Sequence, residues 1–217
     1  MSKSTFKNLS PEKQERFLAE ALKEFANNDF NSASITQIVK NLGIAKGSIY
    51  QYFGNKLELW LYLKQYSESV KLKYIESVKR DNYPDFWQYY RAMYERGIYF
   101  DLENPLCSRF LYRIGFKESG EVVKPYLHTW KKQANEMFVK LIDAEKKKGS
   151  FSKANSTEVM AHFMVTMSMS VAELLQTKYK LDFDKNIKIK KPLFAADGKK
   201  LMQAVDELIK LLEKALR

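Results

Sequence analysis

Lys46, Ser48, Tyr50, Gln51 and Lys56 fall in one short stretch of the chain, and each carries a group that can bind a polyanion. A lysine ammonium can neutralise a phosphate, and the Ser48 and Tyr50 hydroxyls can donate to phosphate oxygens. Gln51 has the paired donor and acceptor that match an adenine edge in a DNA major groove. Gly47 has no side chain, so the backbone there can come close to a partner surface. From Phe30 to Lys56 there is no Asp or Glu, while Lys40, Lys46 and Lys56 are present.

These residues need elements that aim them. Ile35, Ile38, Val39 and Leu42 have the i, i+3, i+4, i+7 spacing of an amphipathic helix. Gly43 follows, a residue that can end a helix in the left-handed conformation. A second short helix is expected from Ala45 to Phe53. At about 100° per residue, Ile49 sets its inward direction, with Ala45, Tyr52 and Phe53 within about 60° of it. Gly47 and Gln51 then point outward, and Lys46, Ser48 and Tyr50 lie on the flanks. Ser34 with Gln37 predicts a capping box, in which two side chains satisfy each other's free amides. Asn55 with Glu58 repeats the pattern. Lys56 and the free amides after it form an expected anion site.

The remaining chain is also helical in pattern. Residues 1–9 read as a loose polar arm. Ser10-Pro11-Glu12 opens a helix with Phe17, Leu18, Ala21, Leu22 and Phe25 on one side. No Gly or Pro interrupts Asn55–Asn82, which predicts one helix to near Arg80. An aromatic helix follows from Pro84 to near Phe100, and a short one from Pro105 to near Phe116. Residues 119–148 read as one long helix, or two meeting near Pro125. Ser156 caps a further helix carrying Met160, Phe163, Met164, Met167 and Val171. Residues 180–196 read as a long loop, with a weak strand-like alternation at Ile187-Lys188-Ile189-Lys190. Asp197 caps the last helix. The expectation is an all-α protein of about nine helices.

Composition sets further bounds. The chain has 217 residues and 45% hydrophobic content, enough for one large domain or two small ones. Its net charge of +11 favours a polyanionic partner, nucleic acid or an acidic membrane surface. The single cysteine, Cys107, excludes an internal disulfide and fits a reducing compartment. The N-terminal residues lack the apolar core of a secretory signal. The most apolar run, Val159 to Leu175, is interrupted by His162, Thr166, Ser168, Ser170 and Glu173. A cytoplasmic protein that does not enter a membrane is expected. An enzyme is not: Gly43 to Ser48 lacks the ending of a phosphate-cradling loop, and no nucleophile elbow is present. His128 and His162 stand in separate helices without partners at ligand spacing, so neither a metal nor a cofactor is expected.

Ile35-Thr36-Gln37-Ile38-Val39, followed by Gly43-Ile44-Ala45-Lys46-Gly47-Ser48-Ile49-Tyr50-Gln51-Tyr52-Phe53-Gly54-Asn55-Lys56-Leu57-Glu58-Leu59, resembles the DNA-binding signature of the TetR-type bacterial transcription regulators. That signature runs T-x-x-x-I-A-x-x-x-G-[VI]-[ST]-x-G-x-[LI]-Y-x-[YH]-F-x-[SN]-K-x-x-L. Two residues depart from it. Ala45 replaces the usual Ser or Thr cap of the recognition helix, and Val39 replaces an Ala. The resemblance implies an all-helical fold, with a three-helix DNA-binding domain at 1–56 and a regulatory, ligand-binding and dimerisation domain at 57–217. It implies a homodimer on a palindromic double-stranded operator, its two heads about 34–36 Å apart. It implies a repressor released by a small effector; the alternatives are an activator or a ligand-independent nucleoid protein of the same fold. Carried over position by position, the DNA contacts are Ser34, Thr36, Lys46, Gly47, Ser48, Tyr50, Gln51, Tyr52 and Lys56. Tyr90, Met93, Tyr94, Phe110, Trp130, Met137 and Met164 are the expected pocket, suited to an apolar or aromatic effector oriented by tyrosine hydroxyls. Met167, Val171, Val205, Leu208, Ile209 and Leu212 are the expected dimer contacts on the last two long helices.

Overall fold

The computed structural model describes residues 4–189 and 191–217. Among them are eleven α-helices and no strand. They are α1 (Ser4–Lys7), α2 (Pro11–Asn27), α3 (Ile35–Leu42), α4 (Lys46–Phe53), α5 (Lys56–Glu76) and α6 (Phe86–Glu103). After these come α7 (Pro105–Phe116), α8 (Lys124–Lys147), α9 (Thr157–Tyr179), α10 (Phe183–Lys188) and α11 (Gly198–Leu216). Single 3-10 turns lie at Arg80–Asn82 and Glu121–Val123. The expected helices are all present. The additional ones are α1 and α10.

Both additions correct the sequence reading. The arm expected to be loose is helical from Ser4, because Phe6 is fully buried against the rings of Phe17, Phe53 and Tyr62. The segment expected to be a loop contains α10, which Asp182 caps by accepting from the Lys185 amide at 2.8 Å. Phe183 is fully buried there and packs edge-on to Phe194. Of the strand-like alternation, Ile187 and Lys188 belong to α10, Ile189 follows it, and Lys190 lies outside the described residues. The helix expected to run to Arg80 ends at Glu76.

The chain divides into two compact units, and the division does not fall after residue 56. The first unit comprises the residues up to Leu72 together with Asn104–Pro125, so α7 belongs with α2–α5. The reason is visible in the packing. Phe110 of α7 is fully buried, with ring contacts to Phe25 of α2 and Trp60 of α5. Arg113 donates to the Ala26 and Asn27 carbonyls at the end of α2, at 3.0 and 2.9 Å. Past α7, the Glu118 carboxylate accepts the Phe30 amide, and the Ser119 hydroxyl donates to Asp29.

The second unit comprises Lys73–Glu103 and Tyr126–Arg217. Its aromatic core joins Phe86, Trp87 and Tyr90 of α6 to Phe151 and Phe138. Arg91 of α6 bonds Asp206 of α11 at 2.7 Å, and Lys178 of α9 bonds Glu207 of α11 at 2.6 Å. α9 is long and apolar enough to cross a membrane by length and composition. Here it lies within the unit, burying Met160, Ala161, Met164, Val171 and Leu175.

One carboxylate in this unit carries an unusual load. Glu145, near the end of α8, is 1% exposed and accepts from Arg80 through both oxygens at 2.9 Å. It also accepts from Lys148 and from the Ser150 hydroxyl. Burial pushes its carboxyl up, but the hydrogen bonds from Arg80, Lys148 and Ser150 outweigh that and hold it below the ordinary value. A buried charge that loses its partner is costly. Glu145→Ala is therefore expected to lower the unfolding free energy by about 3–5 kcal/mol, measured by urea titration of the circular dichroism signal.

Candidate nucleic-acid interface

α3 and α4 form the helix–turn–helix. Ser34 accepts the Gln37 amide at 3.2 Å, so half of the expected capping box is present. The other half is not. Gln37 donates its side-chain amide to Asn41, and the Ser34 amide is taken by Glu24 at 2.8 Å. Gly43 ends α3 at φ 68°, in the left-handed region where a side chain would be strained. Arg16 ties the same end to α2 by donating to the Leu42 carbonyl.

The rotation of α4 about its axis is set by two residues. Ile49 and Phe53 are both fully buried. Lys46, Gly47, Tyr50 and Gln51 are exposed, and Ser48 and Tyr52 are half-buried. The outward face is thus the expected one, with Gly47 and Gln51 foremost. Tyr52 is drawn partly inward by ring contacts to Phe6 and Phe17. Ala45 gives α4 no side-chain cap, and the Ser48 amide turns back to the Ala45 carbonyl at 3.0 Å. On α3, Thr36 is exposed and Ser34 half-buried.

Lys56 is placed differently from expectation. Asn55 accepts the Glu58 amide at 2.8 Å and so occupies the start of α5. The Lys56 ammonium donates to the Asn31 carbonyl at 3.2 Å and lies over the Phe30 ring. Burial lowers its pKa. Lys56 is therefore committed to the turn between α2 and α3, and a phosphate would have to compete with that bond. The same turn is braced by Asp29, whose carboxyl is held down to about 2, chiefly by the Ser32 amide and then by the Ser32 and Ser119 hydroxyls.

The other expected sites are less coherent. Phe110 lies in the core of the first unit, whereas Tyr90, Met93, Tyr94, Trp130, Met137 and Met164 belong to the second. Of these, Tyr90 and Met164 are buried, Met93, Tyr94 and Trp130 half-buried, and Met137 exposed. Tyr90, Tyr94 and Ser168 share a hydroxyl chain, at 3.0 Å between the tyrosines and 2.6 Å from Tyr90 to Ser168. Burial raises the pKa of Tyr90 well above its ordinary value and also raises that of Tyr94. Among the expected dimer contacts, Val171, Val205, Ile209 and Leu212 are covered within the single chain. They are core residues, because α9 and α11 turn those positions toward their own neighbours. Met167 and Leu208 are half-buried. The exposed apolar positions of these helices are Val159, Phe163, Leu174 and Leu211.

Residues 17–63 match the family model described as bacterial regulatory proteins, tetR family. That segment is a TetR-type DNA-binding helix–turn–helix region. An uncharacterized HTH-type transcriptional regulator of Haemophilus influenzae is 33% identical over 82 residues, covering 37% of this chain and 42% of the relative. The chain thus matches less than half the length of that curated relative. A TetR family transcriptional regulator from Chloroflexus aurantiacus superposes with a TM-score of 0.81 at 24% identity, over 100% of this chain and 99% of that one. The fatty acid degradation regulator FadR of Bacillus halodurans gives 0.64 at 18% identity, over 94% of this chain and 99% of that one. The ketosteroid transcriptional regulator KstR2 of Mycobacterium tuberculosis gives 0.61 at 12%, over 96% of each chain. These structural likenesses show the fold along the whole length of the chain. The family match itself falls on α2–α5, the elements that carry the outward face.

The reading from sequence overlooked two residues near this face, Thr5 and Phe6. A lone phenylalanine in an otherwise polar arm was the only signal available. Gly47 offers a clean separation of folding from contact, since a methyl added there would meet no protein atom within 4 Å. Gly47→Ala is expected to leave the free protein as stable or up to about 1 kcal/mol more stable, measured by thermal unfolding. Any loss of duplex binding in that variant then reports a contact and not a misfolded head.

Proposed function

We propose that the chain is a ligand-responsive repressor that binds a palindromic operator as a homodimer in the cytoplasm. One observation carries the reading: Lys46, Gly47, Tyr50 and Gln51 stand together on the exposed side of α4, in a segment free of carboxylates. In this reading Lys46 neutralises a phosphate, Ser48 and Tyr50 donate to phosphate oxygens, and Gln51 reads an adenine edge. Ser34, Thr36 and Tyr52 flank the groove. Lys56 braces the turn instead of contacting DNA first.

Two copies are needed to read a palindrome, with heads about 34–36 Å apart. The apolar positions left uncovered on α9 and α11 support pairing through those helices, centred on Leu211, Leu174 and the half-buried Leu208 and Met167. Leu211 is 67% exposed, so a charge there costs the free chain little. Leu211→Glu is expected to convert a dimer to a monomer, measured by sedimentation velocity, with no loss of helix content. The same variant retaining the dimer would remove these helices from the interface.

The effector in this reading is a small, largely apolar molecule. The hydroxyl chain of Tyr90, Tyr94 and Ser168 supplies the polar handle such a molecule needs within an apolar core. Family structures of regulators named for fatty acid degradation and for ketosteroids make apolar effectors a reasonable class to screen first. The DNA reading is tested by selecting duplexes from a random pool. A preferred palindrome is expected, with affinity falling steeply as salt rises. Gln51→Ala should cost about 1–3 kcal/mol on that palindrome and little on random duplex, read by fluorescence anisotropy. Equal preference in wild type and Gln51→Ala would sink the proposed face.

A further inference from the structure

We propose that the short helix α1 is a working part of the DNA-reading device. Thr5 holds the last turn of α4, and Lys7, on the other side of α1, adds a phosphate contact. The inference rests on α4 being the recognition helix, and it adds residues outside the matched segment 17–63.

A four-residue helix cannot persist on its own, because nucleation costs more than one turn returns. α1 is held in place at both ends. Phe6 has no exposed surface and sits among four rings: Phe53 at 4.9 Å, Phe17 at 5.2 Å, Tyr62 at 5.6 Å and Tyr52 at 5.8 Å. At the other end, Gln14 of α2 donates its side-chain amide to the Lys7 and Leu9 carbonyls, at 3.2 and 2.8 Å. The segment is therefore fixed on the head by packing and by hydrogen bonds.

What α1 does there follows from one bond. The Thr5 hydroxyl donates to the Gln51 carbonyl at 2.9 Å. The last carbonyls of any helix lack intrahelical partners. At the end of α4, Gly54 donates to Tyr50 and Asn55 to Phe53. The Gln51 carbonyl between them is taken by Thr5. Gln51 is also the residue whose side chain faces outward, so Thr5 fixes the backbone from which that side chain projects. Thr5 is a positioning residue for the Gln51 contact.

Lys7 follows Thr5 by two residues, about 200° around a helix, so it faces away from the Thr5–Gln51 bond. It is exposed, and among the described residues it forms no ion pair. Its backbone is pinned through Gln14 of α2, so its ammonium is offered from a fixed point on the outer side of α1. A cation so placed beside a groove-reading helix suits the phosphate backbone at the edge of that groove.

The test uses the full chain and the duplex that wild type selects from a random pool, with anisotropy titrations from about 50 to 200 mM salt. Lys7→Gln is expected to lower the slope of log affinity against log salt by about 0.9 and to weaken operator and random duplex alike. Thr5→Val is expected to keep the wild-type slope but lose operator preference over random duplex by about fivefold, the worth of one hydrogen bond. Thr5→Ser should restore it. A Lys7→Gln slope equal to wild type overturns the phosphate contact. A Thr5→Val preference equal to wild type, or one that Thr5→Ser fails to restore, overturns the positioning role. A wild-type protein that selects no sequence would overturn the reading of α4 itself, a result distinct from both.

Discussion

The buried pair Ile49 and Phe53 is the constraint on which the reading face depends. α4 has eight residues, too few to hold a helix or an orientation unaided. Phe53 is fully buried, stacked on Phe17 at 5.5 Å and in contact with Phe6 and Tyr62. With those two side chains inside, successive steps of about 100° leave Gly47 and Gln51 outside. A rotation of α4 by one residue would turn a different set toward the partner. The chemistry of the face is thus a consequence of how the opposite face packs.

The turn between α2 and α3 receives a second set of restraints, and these come from far along the chain. Arg113 and Glu118 bond backbone groups of Ala26, Asn27 and Phe30, across sequence separations of 86 to 88 residues. Three acids near this turn are engaged: Glu24 with the Ser34 amide, Asp29 with Ser32 and Ser119, and Glu118 with Phe30 and Gly120. Each is spent on orienting backbone. The reading face itself keeps only cations and neutral donors, which suits it to a phosphate-lined partner.

In the second unit, packing and charge are divided in a comparable way. Aromatic rings of α6 fill the interior, and ion pairs from Arg80 and Arg91 tie that region to α8 and α11. The Tyr90, Tyr94 and Ser168 hydroxyls satisfy one another inside an apolar setting. Such a chain of hydroxyls can exchange one internal bond for another without leaving an unsatisfied group.

Much of this was legible from periodicity. Apolar residues at helical spacing marked the long helices, Gly43 marked the turn, and Ile49 as the inward reference placed Gly47 and Gln51 outward, as observed. Signals that depend on a repeating pattern were available because a helix of several turns repeats its burial. The two helices missed, α1 and α10, share one physical cause. Phe6 and Phe183 are single apolar residues in polar surroundings, so no period exists to reveal them, and their ring partners come from other helices. Lys56 was read as a phosphate ligand, and the order of residues did not show that its ammonium also meets the Asn31 carbonyl and the Phe30 ring. Val205, Leu212 and Leu211 are all apolar residues of α11, but two are covered and one is 67% exposed. The amino-acid order alone determined which residues are apolar and which helices they stripe. Which of those apolar faces meets its own chain, and which is left for a partner, only the tertiary structure decided, because burial is a property of neighbours that the order of residues does not name.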